Sequence, residues 1–146
     1  MKLSTKTRYG LRFLLDLALY GGDRGTPVAM SDTASRQGLS EKYLWQVAAP
    51  LKAAGIVRAF PGARGGYTLN RPLEEITVLS IAETMEGEVA LVDCDRAPHG
   101  CDRALECVVR EVWQGISQSL AAAMAAITLA DITARARQQA PVDYCI

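Results

Sequence analysis

Cys94, Cys101 and Cys107 fall within fourteen residues, CDRAPHGCDRALEC, with six residues between the first pair and five between the second. Thiolates are soft donors that suit iron–sulfur clusters and zinc. Without a metal, the same groups serve as redox-sensing thiols. Three thiolates leave a fourth place, and a centre with one weaker or exchangeable ligand is easier to lose or oxidise. His99, the single histidine of the chain, lies inside the stretch and is the leading candidate for that place. Cys145, Asp93, Asp95, Glu106 and a group from a second subunit are the others. Other chemistry has little to work with. A lone histidine, no Ser-His-Asp constellation and no carboxylate pair framed by a pocket motif argue against an enzyme. A redox enzyme built on the cysteine stretch is the best version of that reading, and it predicts turnover without DNA affinity.

A second set of residues suits nucleic acid. The chain is neutral overall, but residues 1–72 hold eleven Lys or Arg and four Asp or Glu, a net of +7. Residues 73–146 hold five and twelve, a net of −7. A basic half joined to an acidic half is the layout of a nucleic-acid reader attached to something else. Within the basic half, Ala34 and Gly38 stand four apart and are followed by Leu39-Ser40, the spacing of a helix-turn-helix. The small residue lets two helices pack closely, Gly38 supplies a left-handed turn, and Ser40 caps the second helix. On that helix Leu44, Val47, Ala48 and Leu51 face inward. Lys42, Tyr43 and Gln46 lie on another face, where a major groove is within reach.

Next come two short alternating runs, 56–60 and 67–69, around PGARGGY at 61–67. A hairpin with a Gly-rich tip directly after a helix-turn-helix reads as a wing. Arg64, flanked by glycines, suits a narrow minor groove. Nucleotide binding by this loop would need a helix to follow it, and a strand follows instead.

The elements that position these groups are expected as follows. Residues 5–20 form a helix, capped by Ser4 or Thr5, with a narrow polar stripe of Arg8, Arg12 and Asp16 and apolar residues nearly all round, which points to burial by a partner chain as well as by its own; Gly21-Gly22 ends it. Helices at 30–38 and 40–54 make the helix-turn-helix, and Pro50 kinks or restarts the second. Thr77 caps a helix over 77–86 that stops at Gly87. From about 105 to 127 a single apolar stripe runs through Val108, Val112, Ile116, Leu120 and Met124, on a helix roughly 34 Å long. Gly115 within it costs about 1 kcal/mol against Ala and signals close approach by another backbone. Such a helix most economically buries its stripe against its twin in a dimer. A short last helix starts at Thr128, with Asp131 as capping-box partner, and ends before Pro141.

With 146 residues, 49% hydrophobic and 22% charged, the chain is globular. No apolar run of eighteen residues exists, and Met1-Lys2-Leu3-Ser4 opens without an apolar leader, so neither a membrane span nor a secretory signal is expected. Four cysteines then favour reduced thiols or a metal in the cytoplasm over disulfides.

The assembled pieces resemble the Rrf/IscR/NsrR-type winged helix-turn-helix transcription regulators, in the iron–sulfur-binding branch, over nearly the whole chain. The resemblance rests on KLSTKTRY at 2–9, GLSEKYLWQ at 38–46, LKAAGIV at 51–57, PGARGGYTL at 61–69 and EEITV at 74–78. It implies a mainly α protein: a winged helix-turn-helix domain with a two-stranded wing (1–88), a cluster-binding loop (89–107), and a long dimerisation helix with a short C-terminal helix (105–146). It implies a homodimeric regulator, a repressor, on a palindromic operator, with an iron–sulfur cluster of the 2Fe–2S or 4Fe–4S kind on Cys94, Cys101 and Cys107. Lys6, Arg8 and Tyr9 would touch phosphates. Ser40, Lys42, Tyr43 and Gln46 would enter the major groove, and Arg64, Gly65 and Gly66 the minor groove.

The chain departs from the family pattern in four places. Trp45 stands where many relatives carry an acidic residue. The first cysteine gap is one residue longer than in the commonest form. Arg110 stands where the cluster-assembly regulators have a histidine, and Arg8 stands near where the nitric-oxide-sensing branch offers a carboxylate. Arginine stays protonated and cannot ligate, so the fourth ligand is open. A regulator without a cluster, working by cysteine oxidation, zinc or a partner protein, is the alternative.

Overall fold

The computed structural model describes residues 3–21, 25–96 and 101–139. The first helix, α1 (Thr5–Tyr20), begins where the Ser4 hydroxyl accepts a hydrogen bond from the Thr7 N–H. Phe13, Leu14 and Leu17 on it are buried at the centre of the core. The near-continuous apolar surface of α1 is explained by its neighbours. It packs against α2 (Met30–Gln37), α3 (Glu41–Ala53), α4 (Val78–Glu86), α7 (Leu129–Gln139) and the strand β2 (Gly66–Leu69) of its own chain. Leu44, Leu51, Ile81 and Leu129 from those elements, and Ile56 from the turn after α3, complete the same core.

Helices α2 and α3 form the expected helix-turn-helix. Gly38 ends α2 in the left-handed region at φ 63°, where a side chain would be strained. The Leu39 N–H returns to the Ala34 carbonyl at 3.0 Å. Ser40 then caps α3 by accepting from the Tyr43 N–H at 3.2 Å. Pro50 neither ends nor restarts α3, which is assigned as one helix through Ala53. Proline removes one backbone donor, and here it does so one turn before the end of a helix anchored by fully buried Val47, Ala48 and Leu51. Burial of those side chains outweighs the single missing bond.

Strand β1 (Val57–Phe60) pairs with β2 antiparallel, from Val57 opposite Leu69 to Phe60 opposite Gly66. Val28 adds a bridge on the far side of β2, exchanging two 2.9 Å bonds with Tyr67. The architecture is thus mainly helical with a two-stranded antiparallel wing. A 3-10 turn at Leu73–Glu75 and the four-residue helix α5 (Asp93–Arg96) carry too little periodicity to be read from sequence.

α4 opens with a capping box, Thr77 and Ser80 each bonding the other's backbone N–H at 3.1 Å. The long helix is shorter than expected: α6 spans Val108–Ala125. At its start, hydrogen-bonded turns hold 101–106 out of the helix (Ala104 N–H to the Cys101 carbonyl, Glu106 N–H to the Arg103 carbonyl, both 3.1 Å). At its end, Ile127 leaves the helix because its carbonyl accepts from the Val78 N–H at 3.0 Å. α7 starts as expected, with Thr128 N–H donating to Asp131 at 2.9 Å and Asp131 N–H to the Thr128 hydroxyl at 3.2 Å. It returns to pack on α1 and the 3-10 turn. No described helix is long and apolar enough to cross a membrane.

Candidate nucleic-acid interface and cysteine segment

Packing of Leu44, Val47, Ala48 and Leu51 into the core turns the opposite side of α3 outward. Lys42 and Gln46 are exposed there, and Tyr43 is half-buried beside them. Ser40 sits exposed at the N-cap, where its hydroxyl already serves α3. Lys6 and Arg8 are exposed on the first turns of α1, with Arg8 donating to the Thr5 hydroxyl at 3.3 Å. Tyr9 meets Tyr43 edge-on, centroids 5.7 Å apart, which brings α1 and α3 candidates into one surface. The Arg12 guanidinium lies 5.3 Å over the Tyr9 ring, an additional cation beside this face.

The wing tip holds Arg64 exposed. Gly65 and Gly66 have demands of their own within the chain. A Cβ on Gly65 would stand 2.1 Å from the Phe60 carbonyl oxygen, and one on Gly66 would stand 2.1 Å from that of Val28. The double glycine is therefore required for the wing to close and to dock on residue 28. Between α3 and the wing runs a groove of about 630 Å³ lined by Trp45, Phe60, Tyr67, Glu41 and Lys52 among others. Trp45 is half exposed on its wall, with its ring 5.6 Å from that of Tyr67. Burial raises the Tyr67 hydroxyl above the usual tyrosine value.

Sequence reading missed the polar junction that fixes the helix-turn-helix against α1. Asp16, expected in a polar stripe, is 2% exposed. Its carboxylate accepts two bonds from Arg36 (2.9 and 2.7 Å), one from the Thr33 hydroxyl (2.8 Å) and one from Gln37 (3.2 Å). Gln37 in turn accepts from Arg12 at 2.8 Å, and Arg36 lies 4.0 Å over the Tyr20 ring. Burial pushes the Asp16 pKa up, but the bonds from Arg36, Thr33 and Gln37 together outweigh it and leave the carboxyl below its ordinary value. Asp16 to Arg36 spans twenty residues and two elements; only the i, i+3/i+4 pattern of Thr33, Arg36 and Gln37 on α2 hinted at a polar partner.

Beyond α4, Cys94 is half-buried on α5, Cys101 is exposed, and Cys107 is half-buried at the N-cap of α6 without a side-chain capping bond. His99 and Cys145 lie outside the described residues, as does the side chain of Asp95. In kind, three thiols on one segment fit an iron–sulfur centre. In place, no three Cys, His, Asp or Glu side chains among the described residues converge on one point. Arg110, on the first turn of α6, donates from Nε to the Cys94 carbonyl and from Nη1 to the Ala104 carbonyl, both at 3.1 Å.

α6 packs against α4; on it Ser117 and Met124 are buried, and the Ser117 hydroxyl accepts from the Leu91 N–H at 3.2 Å. Its other side leaves Val108, Val109, Val112, Trp113 and Ile116 exposed, with Val108 71% and Val112 56% open. Apart from the local backbone of α6 itself, no described atom lies within 4 Å of a Cβ built on Gly115, so the close approach expected there is not made within the described residues.

Comparison with known proteins agrees with the winged-helix fold. The family model Rrf2, described as an iron-dependent transcriptional regulator, matches residues 3–135. Protein rrf2 of Nitratidesulfovibrio vulgaris is 38% identical over 132 residues, 90% of this chain and 87% of that one. The HTH-type transcriptional regulator IscR of Yersinia pestis is 31% identical over 132 residues, 90% of this chain and 79% of that one. Among solved structures, T. potens IscR superposes with a TM-score of 0.74 at 36% identity, covering 95% of this chain and 91% of that one. CymR, the global cysteine regulator of B. subtilis, gives 0.75 at 32% identity, covering 92% and 98%.

Proposed function

Because the chain belongs to the Rrf2 family of transcriptional regulators, we propose that it is a cytoplasmic homodimeric repressor whose affinity for a palindromic operator follows the state of the cysteine segment. The family's members are regulators and not enzymes, and this chain is a winged-helix regulator of that kind. The observation that carries the DNA reading is the outward face of α3, where Lys42, Tyr43 and Gln46 stand clear of the core beside a wing ending in Arg64. In this reading Lys42, Tyr43, Gln46 and Ser40 meet the major groove, Arg64 with Gly65 and Gly66 the minor groove, and Lys6, Arg8 and Tyr9 the phosphates. The exposed apolar side of α6 joins two copies, which sets two recognition helices about 34 Å apart on one face of the duplex.

Cys94, Cys101 and Cys107 would hold an iron–sulfur cluster, which when bound supplies coordination that oxidants readily break. The residues around them give its state a route to DNA. The segment joins α4, at the edge of the winged body, to α6, so a change in its order tilts one against the other. Operator affinity then changes to the extent that the two arrangements differ in affinity for the cluster. A second reading is favoured by the exposure of Cys101 and the separation of the three thiols: sensing by cysteine oxidation without metal.

The deciding experiment is anaerobic purification with iron and sulfide counting, repeated on Cys101→Ala, alongside operator binding before and after cluster removal. Iron and sulfide present in the parent and lost in the variant support the site, and unchanged metal in Cys101→Ala removes it. Equal operator affinity with and without cluster removes the switch and leaves the regulator.

A further inference from the structure

Arg110 has one property that its sequence position does not reveal. It sits three residues into the frame of Cys107, on the first turn of α6, and reaches back across the whole cysteine segment. One fork of its guanidinium holds the carbonyl of Cys94 itself, on α5, and another holds the carbonyl of Ala104, in the turns that follow Cys101. Ala104 is buried, and its N–H closes back on the Cys101 carbonyl at 3.1 Å. Three backbone stretches, each carrying one cysteine, are thus fastened at a single side chain. Only arginine offers donors in a rigid planar fork that meets two carbonyls from different directions; lysine is a point charge on a flexible stem.

We propose that Arg110 is the positioning residue of the cysteine segment: it does not ligate, but fixes the Cys94 backbone and the 101–106 turn relative to Cys107. This rests on reading 94–107 as the sensing segment. It accounts for a residue that no ligand role can use. Short helix α5 has four residues and too few backbone bonds to hold its own place, so an external tether decides where Cys94 stands. The tether acts on main-chain atoms, so it constrains all three thiols without occupying any of them.

The test uses the full-length protein free of metal. Iodoacetamide labelling, followed cysteine by cysteine by mass spectrometry, is compared among the parent, Arg110→Ala and Arg110→Lys. Loss of a charge-assisted bond corresponds to about a tenfold change in an opening equilibrium. Labelling of half-buried Cys94 in Arg110→Ala should therefore rise about tenfold, while exposed Cys101 reacts at the parent rate and the helical circular dichroism and Tm of the winged body are unchanged. Arg110→Lys should stay close to Arg110→Ala. Unchanged labelling of Cys94 in Arg110→Ala overturns the proposal, as does an equal rise at every cysteine, which marks general loosening. Full rescue by lysine also overturns it, because charge and not the fork would then be the cause. Iron and sulfide counting on the parent is made in parallel. A parent that takes up no cluster fails the cluster reading, and the labelling result still judges the tether.

Discussion

A single carboxylate fastens α2 to α1. Asp16 is buried and takes four hydrogen bonds from three residues of α2, so removing its charge leaves Arg36 without a counter-ion and Thr33 without a full acceptor. Asp16→Asn should lower stability by about 2 kcal/mol, below the usual cost of breaking a buried pair because Arg36 is 30% exposed at its side chain. The sign with pH follows from the lowered pKa. A carboxyl whose folded pKa lies below its ordinary 3.8 contributes its full stability above that value and loses it as pH falls through the folded pKa. Urea titrations should show a gap between parent and variant that is constant from pH 5 to 7 and narrows below about 3.8. A gap that widened in acid would assign the effect to another group. The burial of Asp16 is not legible in the sequence, where α2 offers only a hint of a polar partner. Arg8, Arg12 and Asp16 look alike as a four-spaced polar stripe, and only the arrival of α2 on that side of α1 separates the buried acid from its exposed neighbours. The outward residues of α3 were legible, because the inward set Leu44, Val47, Ala48 and Leu51 fixes the opposite face by helical period alone.

The wing shows how one sequence signal can carry two causes. The pair Gly65-Gly66 reads as room for a groove wall, but both glycines are needed first by the hairpin itself. Gly66 has φ 152°, and its missing Cβ makes way for the Val28 carbonyl that bonds Tyr67. Gly66→Ala must push residue 28 off β2 or twist the strand. It should cost about 2–3 kcal/mol and lower Tm by roughly 6–12 °C, even in the absence of DNA. A scan of Tm without nucleic acid checks this, and an unshifted Tm with weakened DNA binding would return the glycine to a purely interfacial role. The same distinction explains where element reading failed. Local propensity predicts a break at Pro50, and apolar spacing from Leu105 predicts an earlier start for α6. Burial around Pro50 overrides the first, and the hydrogen-bonded turns of 101–106 override the second. α4 and α7 were read correctly because Thr77 and Thr128 with Asp131 are capping signals that act within one turn.

At the scale of the molecule the chain has two surfaces of opposite kind. One is the basic face of α1, α3 and the wing; the other is the apolar side of α6, running from Val108 to Ile116. An apolar stripe this exposed on a helix that already packs on α4 marks an interaction surface, and the proposed occupant is a second copy related by two-fold symmetry. Val112→Glu places a charge in the middle of the stripe, at a residue 56% exposed in the single chain. The fold of one chain therefore tolerates the change, whereas an apolar interface does not. Sedimentation should shift from dimer toward the 15.7 kDa monomer. Operator affinity should fall by about 10²–10⁴, the advantage lost when two half-sites are no longer bound by one particle. Circular dichroism should be unchanged. The same charge added by Gln118→Glu, off the apolar stripe, controls for electrostatics and should leave both the dimer and DNA binding intact. A Val112→Glu protein that remained dimeric would move the two-fold contact away from α6. The cysteine segment would then no longer lie between the reader and the dimer axis, and its state would have no lever on the spacing of the recognition helices.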